Sequence, residues 1–384
     1  MTGTPAMPAG PPIERVEGFV LSAPCAPVRT SFGTMLERPA LLVRVMDTDG
    51  AEGWGEVWCN FPACGVRHRA ALLRTVIGPA LAGAPGGDPA GASGALAARF
   101  EVLALQSGEP GPFAQVLAGL DQALWDLAAR RAGQPLWRLL GGSRGTPVPV
   151  YASGIGPEAP LDVVAAQRER GHRAFKLKVG FDDTTDRRRV ADLRRALRDG
   201  ERMMVDANQA WSPRQALERC AELAAQGVDW IEEPIRADRP PSDWQALAAA
   251  LPAAVPLAGG ENLIGAAAFE TAIATRAVGV LQPDVAKWGG LTGCRAVAQA
   301  ALRAGLRYCP HFLGAGVGLA MSAHLLAAVG GDGLLEMDVN PNPLRDALCG
   351  PLDEIRHGAV TLTEAPGFGP VPAADLLRHY RLPA

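Results

Sequence analysis

The sequence predicts an α/β fold, a barrel of repeated βα units preceded by a smaller α+β domain. Three observations point that way. After the break at Gly141-Gly142-Ser143, short apolar runs recur about every 25 to 30 residues, separated by Ala/Leu/Arg-rich stretches. Ionisable residues fall at the ends of those runs, and the segment before the break alternates like antiparallel strands before turning helical.

From Ile13 to about Asp47, Val16, Phe19 and Leu21 and then Leu41, Val43 and Val45 predict strands closing on the turn Thr48-Asp49-Gly50. Helical sequence follows through Trp137, interrupted by the Gly/Pro/Ala segment Ala82 to Ala95. Within it Asp121, Leu124, Trp125, Leu127 and Ala128 predict one amphipathic helix. Residues 13–138 therefore read as the α+β domain. Eight runs then predict a closed barrel over 148–350: Val148–Ala152, Ala174–Lys178, Arg202–Val205, Trp230–Ile231, Leu257–Ala258, Val280–Gln282, Arg307–Cys309 and Leu334–Leu335.

Length and composition set the outer bounds. A chain of 384 residues, 48% hydrophobic and 20% charged, suffices for one large core and a second small one. A formal charge of −3 supplies no basic field for nucleic acid, and Arg187, Arg188 and Arg189 read as a solvated helix face. Seven cysteines without a CxxC pair argue against a disulfide framework and a thiolate zinc site and fit a reducing compartment. The opening Met1 to Pro12 lacks an apolar h-region, so a cytoplasmic protein with a frayed N-terminus and no membrane partner is expected.

The chemistry is legible at the strand ends. Lys176 and Lys178 lie in the second run, while Asp206, Glu232, Glu261, Asp284, His311 and Glu336 stand at or near the ends of successive runs. In a parallel barrel those ends share one rim. Taken singly, each carboxylate reads better as a helix N-cap or a surface carboxylate at a strand end. Together, Asp206, Glu232 and Glu261 would repel unless a cation joined them, and three hard oxygen donors suit Mg²⁺ better than zinc. Lys176 and Lys178 share one strand face, with Leu177 turned to the helices. Their mutual repulsion and desolvation would favour a neutral amine, so either could serve as a general base. Asp284 and His311 end adjacent strands, where the carboxylate could hold one imidazole nitrogen and present the other. His68, His172, His324, His357 and His379 read as surface or packing residues.

The ordered set Lys-x-Lys, Asp-Ala-Asn, Glu-Glu-Pro, Gly-Glu-Asn, Gln-Pro-Asp-Val-x-Lys-x-Gly-Gly and Pro-His resembles the mandelate racemase branch of the enolase superfamily. The likeness covers nearly the whole chain, including Gly53-Trp54-Gly55-Glu56. It implies a modified (β/α) TIM barrel, an N-terminal α+β capping domain, and a last segment, 351–384, that returns to the cap. It implies that Asp206, Glu232 and Glu261 bind Mg²⁺, that Lys178 is the base on one face of a carboxylate substrate, and that His311 with Asp284 works on the other. Lys176 would neutralise the substrate carboxylate, Glu336 would hydrogen-bond the ene-diolate, and Asn208 would sit near the substrate. Asp284 stands where the muconate-cycloisomerase and dipeptide-epimerase branch has a lysine, and Lys287 occupies a different, usually non-catalytic position.

Glu336-Met337-Asp338, Asn342-Pro343-Leu344-Arg345 and Pro310-His311-Phe312 are similar to acid-sugar dehydratases and galactarolactone cycloisomerases. The likeness implies a lyase of hydro-lyase type eliminating from a sugar acid or lactone, with racemisation or epimerisation as the alternative on the same residues. Selection is expected from the capping loops Cys25 to Leu36 and Val57 to Arg69, which include Arg29, Thr30, Ser31, Phe32, Trp58 and Phe61. A homo-oligomer is expected.

Overall fold

A computed structural model describes residues 10–30, 33–143 and 147–383. Ser31 and Phe32, expected in a capping loop, and the segment 1–9, expected to fray, lie outside the described residues.

The meander forms as expected. Strands β1 (Ile13–Thr30), β2 (Gly33–Asp47) and β3 (Glu52–Val57) pair antiparallel in that order. Asp47 Oδ1 accepts from Asp49 N–H at 3.1 Å and Ala51 N–H at 3.0 Å, and Gly50 takes φ 82°, a conformation open to glycine, so the turn sits where the sequence placed it. Helices α1 (Gly65–Leu72), α2 (Pro89–Gln106), α3 (Pro110–Arg131) and α4 (Leu136–Leu139) follow. The interruption expected over Ala82 to Ala95 is shorter than that, because Asp88 caps Gly91 N–H and Pro89 opens α2 at its first position.

Helix α3 also departs from the amphipathic pattern. Every residue from Leu120 to Ala129 is buried, since the helix is enclosed between the meander and the barrel. On one side a Cβ at Gly53 would lie 2.1 Å from Ala123 O, and one at Gly55 2.1 Å from Gly119 O. On the other, Asp121 accepts from Thr292 N–H at 3.0 Å and Trp125 Nε1 donates to Thr292 Oγ1 at 2.8 Å. The two glycines thus let a strand lie directly on a helix that itself docks onto the barrel.

Eight parallel strands form one curled sheet: β4 (Val148–Ile155), β5 (Ala174–Lys178), β6 (Arg202–Asp206), β7 (Ile231–Glu232), β8 (Leu257–Gly259), β9 (Val280–Leu281), β10 (Arg307–Tyr308) and β11 (Leu335–Asp338). The ladder order runs from β10 down to β4 and then β11. Among the described residues no ladder joins β10 to β11. There Leu334 N–H reaches Cys309 Sγ at 3.3 Å, and a Cβ on Gly333 would lie 1.9 Å from Tyr308 O, so the seam is bridged by a thiol and a close glycine.

Side-chain alternation sorts the interior from the helix-facing layer. Ala174 joins Tyr151, Met204, Trp230, Ala258, Val280, Cys309 and Leu334 in a buried plug drawn from the eight strands and their flanks. Phe175 and Leu177 belong instead to the core beneath the helices. Lys176, buried with its Nζ 5.2 Å over the Tyr151 ring, is thereby lifted onto the plug. The end of the chain returns to the meander, with Ser22 N–H bonded to Tyr380 O and Leu382 N–H to Val20 O, both at 2.9 Å. Among the described residues no helix is long and apolar enough to cross a membrane.

Candidate active site

The rim expected from the strand ends exists. Register pairs Lys178 with Asp206 across β5 and β6 and Asp206 with Glu232 across β6 and β7. Glu261 follows β8, Asp284 follows β9, His311 follows β10, and Glu336 lies in β11.

Each inward cation is engaged by acids. Lys176 Nζ lies 2.5 Å from Glu232 Oε1 and 2.8 Å from Glu336 Oε1, with Asp206 Oδ2 at 3.6 Å. Lys178 Nζ contacts Asp206 Oδ2 at 2.6 Å and Asn208 Oδ1 at 2.8 Å. His311 Nδ1 sits 2.7 Å from Asp284 Oδ2, and its Nε2 contacts Glu261. Burial disfavours charge on all three, but the acids outweigh it. Glu232 and Glu336 hold the Lys176 amine well above its usual range, Asp206 raises Lys178, and Glu261 and Glu336 hold the imidazole well above neutral. Each amine thus lies against a carboxylate that favours its charged form, a hold that a second cation on that carboxylate would relieve.

Supporting bonds fix the rim. Glu336 accepts from Ser153 Oγ at 2.5 Å and Phe312 N–H at 3.2 Å. Gln282 Nε2 donates to Glu232 Oε2 at 2.7 Å, and Trp230 Nε1 to the same oxygen at 3.2 Å. Asp206 Oδ1 accepts from Asn208 N–H at 2.8 Å, at a left-handed turn where Asn208 has φ 43°. Asn262 Nδ2 donates to both Glu233 oxygens, at 2.9 and 3.0 Å, and to Glu261 Oε1 at 3.0 Å. Ser153, Gln282, Glu233 and Asn262 had no role assigned from sequence. Gln282 and Asn262 carried a signal, since both stand at strand ends on the same rim.

The cap reaches the same place. Gln122 accepts from Glu56 N–H at 3.2 Å and donates to Glu56 O at 2.9 Å and Val285 O at 2.8 Å. Trp58 N–H bonds Ala286 O at 3.2 Å. Glu56 accepts from Ala315 N–H at 2.6 Å and Gly318 N–H at 2.9 Å, at the start of the helix Gly316–Val329, and Asn60 Nδ2 donates to Leu313 O at 2.6 Å. The loops carrying Asp284 and His311 are thus both held by the cap. Trp58 and Phe61 close a cavity of about 220 Å³ onto Lys178, Asn208, Lys287 and His311. From the other expected capping loop, no side chain lines that cavity among the described residues.

Asp206, Glu232 and Glu261 are the candidate donors for a divalent ion. Each is now bonded to a cationic side chain, and among the described residues no three Asp, Glu, His or Cys side chains gather round one point. The donor chemistry nevertheless fits: all are oxygen ligands, from consecutive strand ends, and nearly buried. The charge inventory fits as well. Asp206, Glu232, Glu233, Glu261, Asp284 and Glu336 outnumber Lys176, Lys178, Lys287 and His311, and burial together with Glu261 and Asp206 pushes Glu233 up to about 8.

Residues 15–141 match the family described as mandelate racemase / muconate lactonizing enzyme, N-terminal domain, and residues 161–376 match the enolase C-terminal domain-like family. A mandelate racemase/muconate lactonizing enzyme from Bordetella bronchiseptica RB50 is 54% identical, with TM-score 0.91, over 96% of this chain and 99% of that one. D-galactarolactone cycloisomerase from Agrobacterium fabrum is 32% identical over 361 residues, 90% of this chain and 92% of the relative. L-talarate dehydratase from Polaromonas sp. JS666, crystallised with Mg and L-glucarate, is 31% identical, with TM-score 0.82, over 97% and 98% of the two chains.

Proposed function

The chain belongs to the mandelate racemase and muconate lactonizing enzyme family of the enolase superfamily, and from that premise we propose that it removes the proton α to the carboxylate of a sugar acid or its lactone and completes a β-elimination. The observation that carries this reading is the entry of Lys178, from β5, and the His311–Asp284 pair, from β10 and β9, into one cavity. In the sheet order β4 and β11 separate them one way and β6 to β9 the other, so they flank a bound molecule from different sides.

Lys178 takes the α-proton. The charge of Asp206 has to be met by another cation before its amine can be neutral. Asp206, Glu232 and Glu261 would hold Mg²⁺, which when bound supplies the positive charge that steadies an ene-diolate. Lys176 carries further positive charge, buried between Glu232 and Glu336, and Glu336, fixed by Ser153 and Phe312, would hydrogen-bond the enolised carboxylate. Asn208 holds Lys178 and borders the cavity. His311, oriented by Asp284, delivers a proton to the departing oxygen at the β-carbon. The carboxylate ligand and Mg of the dehydratase relative support the substrate class. Proton return by His311 to the α-carbon would instead make the protein a racemase or epimerase.

The test is a screen of the purified, Mg²⁺-supplemented protein against sugar acids, their lactones, α-hydroxy acids and N-acyl amino acids, reading 2-keto product and optical rotation. Keto product supports elimination. A change in rotation without keto product replaces it with racemisation or epimerisation, and no reaction with any acid overturns the reading.

A further inference from the structure

Lys287 differs from the other cations of the cavity. Lys178 meets Asp206 and His311 meets Asp284 and Glu261, whereas Lys287 makes no ion pair among the described residues. Its Nζ has one hydrogen-bond acceptor there, the neutral Asn262 Oδ1 at 2.8 Å. An ammonium carries three donors, so its hydrogen-bonding capacity is not filled by that contact. The amine stands 4.9 Å over the ring of Trp58, and cation, ring and Phe61 all line the cavity that holds Lys178 and His311. Lys287 is partly exposed, and its position is fixed from both sides: its N–H bonds Asp284 O at 3.1 Å, and Trp58 N–H bonds the preceding carbonyl, Ala286 O, at 3.2 Å.

We propose that Lys287, presented on the face of Trp58, receives a second carboxylate of the substrate, so that the site selects dicarboxylic sugar acids, or lactones with a free carboxylate, over monocarboxylic ones. This rests on the sugar-acid reading of the same site. An anion arriving there finds a charged donor held by an aromatic face and an amide, and a hydrogen bond from an ionised donor is roughly twice as strong as one between neutral groups. The remaining cations are in direct ion pairs, whereas Lys287 acts on Glu233 and Glu261 from beyond contact distance, so among the described residues it is the cavity cation whose ammonium touches no carboxylate. It reaches the cavity from the loop after β9 and against the cap, and its one acceptor, Asn262, directly follows Glu261 beyond the end of β8.

The experiment is calorimetric titration of the full chain with Mg²⁺, using galactarate and galactonate, which share a carbon chain and differ in the second carboxylate. The expected result is a preference of on the order of tenfold for galactarate, lost in Lys287→Met and largely kept in Lys287→Arg. Equal affinity of the parent protein for the two acids overturns the proposal without any variant and leaves the sugar-acid reading standing. Unchanged preference in Lys287→Met also overturns it. Equal weakening of both acids together with weaker Mg²⁺ binding in that variant assigns Lys287 to balancing the charge of Glu261, and overturns it too. Binding of neither acid, combined with no turnover in the wider screen, removes both readings.

Discussion

Asp284 Oδ2 lies 2.7 Å from His311 Nδ1, and the other Asp284 oxygen accepts Ala286 N–H at 2.7 Å, so the carboxylate is fixed before it fixes the ring. His311 then presents Nε2 to the cavity side. Asp284→Asn keeps the shape but can leave the ring in the wrong tautomer, and we expect turnover to fall by about 10²- to 10⁴-fold. His311→Asn and Lys178→Ala should each abolish turnover. Solvent-deuterium exchange at the α-carbon separates the two: His311→Asn should retain exchange through Lys178, and full turnover in both variants would sink the assignment.

Glu232 accepts bonds from Lys176, Gln282 and Trp230, all buried. Glu232→Gln should weaken Mg²⁺ binding by at least about tenfold in calorimetry while the circular dichroism spectrum is unchanged. Gln282→Leu touches the proposed ligand only through one hydrogen bond and should still weaken the metal, by about 10- to 100-fold. Unchanged affinity in both would move the metal elsewhere.

Gln122 is wholly buried and supplies partners to Glu56 N–H, Glu56 O and Val285 O. Gln122→Leu strips partners from buried backbone groups, and urea unfolding should show a loss of about 1 to 3 kcal/mol for each group left unpaired. Because Val285 follows Asp284 directly, the surviving folded protein should also lose kcat more than it changes KM. A variant with reduced stability and unaltered kcat would show that the contact only holds the two parts together.

The strand ends were readable because chemistry and period coincide there. Lys176-Leu177-Lys178 obeys the two-residue alternation, and the acids that end β6 and β7 and follow β8 recur at the spacing of βα units, so a common rim followed from pattern alone. The charge state of the lysines was not readable, because it depends on which carboxylates lie within 3 Å across strands. Gln122 carried no signal at all: a polar residue in an apparently amphipathic helix looks solvent-facing until a second layer covers it. The start of α2 was available in Asp88-Pro89, yet the Gly- and Ala-rich composition around it suggested a break.

His324 provides a pH signature away from the proposed metal ligands. It is wholly buried, its Nδ1 accepts Trp137 N–H at 3.1 Å, and burial pushes its pKa down to about 3. An ordinary histidine titrates near 6.5, so between these values the unfolded chain binds a proton that the folded chain excludes. Stability from this group is therefore complete above about pH 6.5 and is lost as pH falls toward about 3, at up to about 1.4 kcal/mol per pH unit. Unfolding free energies measured by urea at pH 7 and pH 5 should differ by about 2 kcal/mol from His324 alone. In His324→Leu the absolute stability drops, because Trp137 N–H loses its partner, but the dependence on pH between 7 and 5 should become shallower by that amount. An equally steep dependence in the variant would mean that other groups, His172 among them, whose pKa burial also lowers to about 4, account for the acid sensitivity.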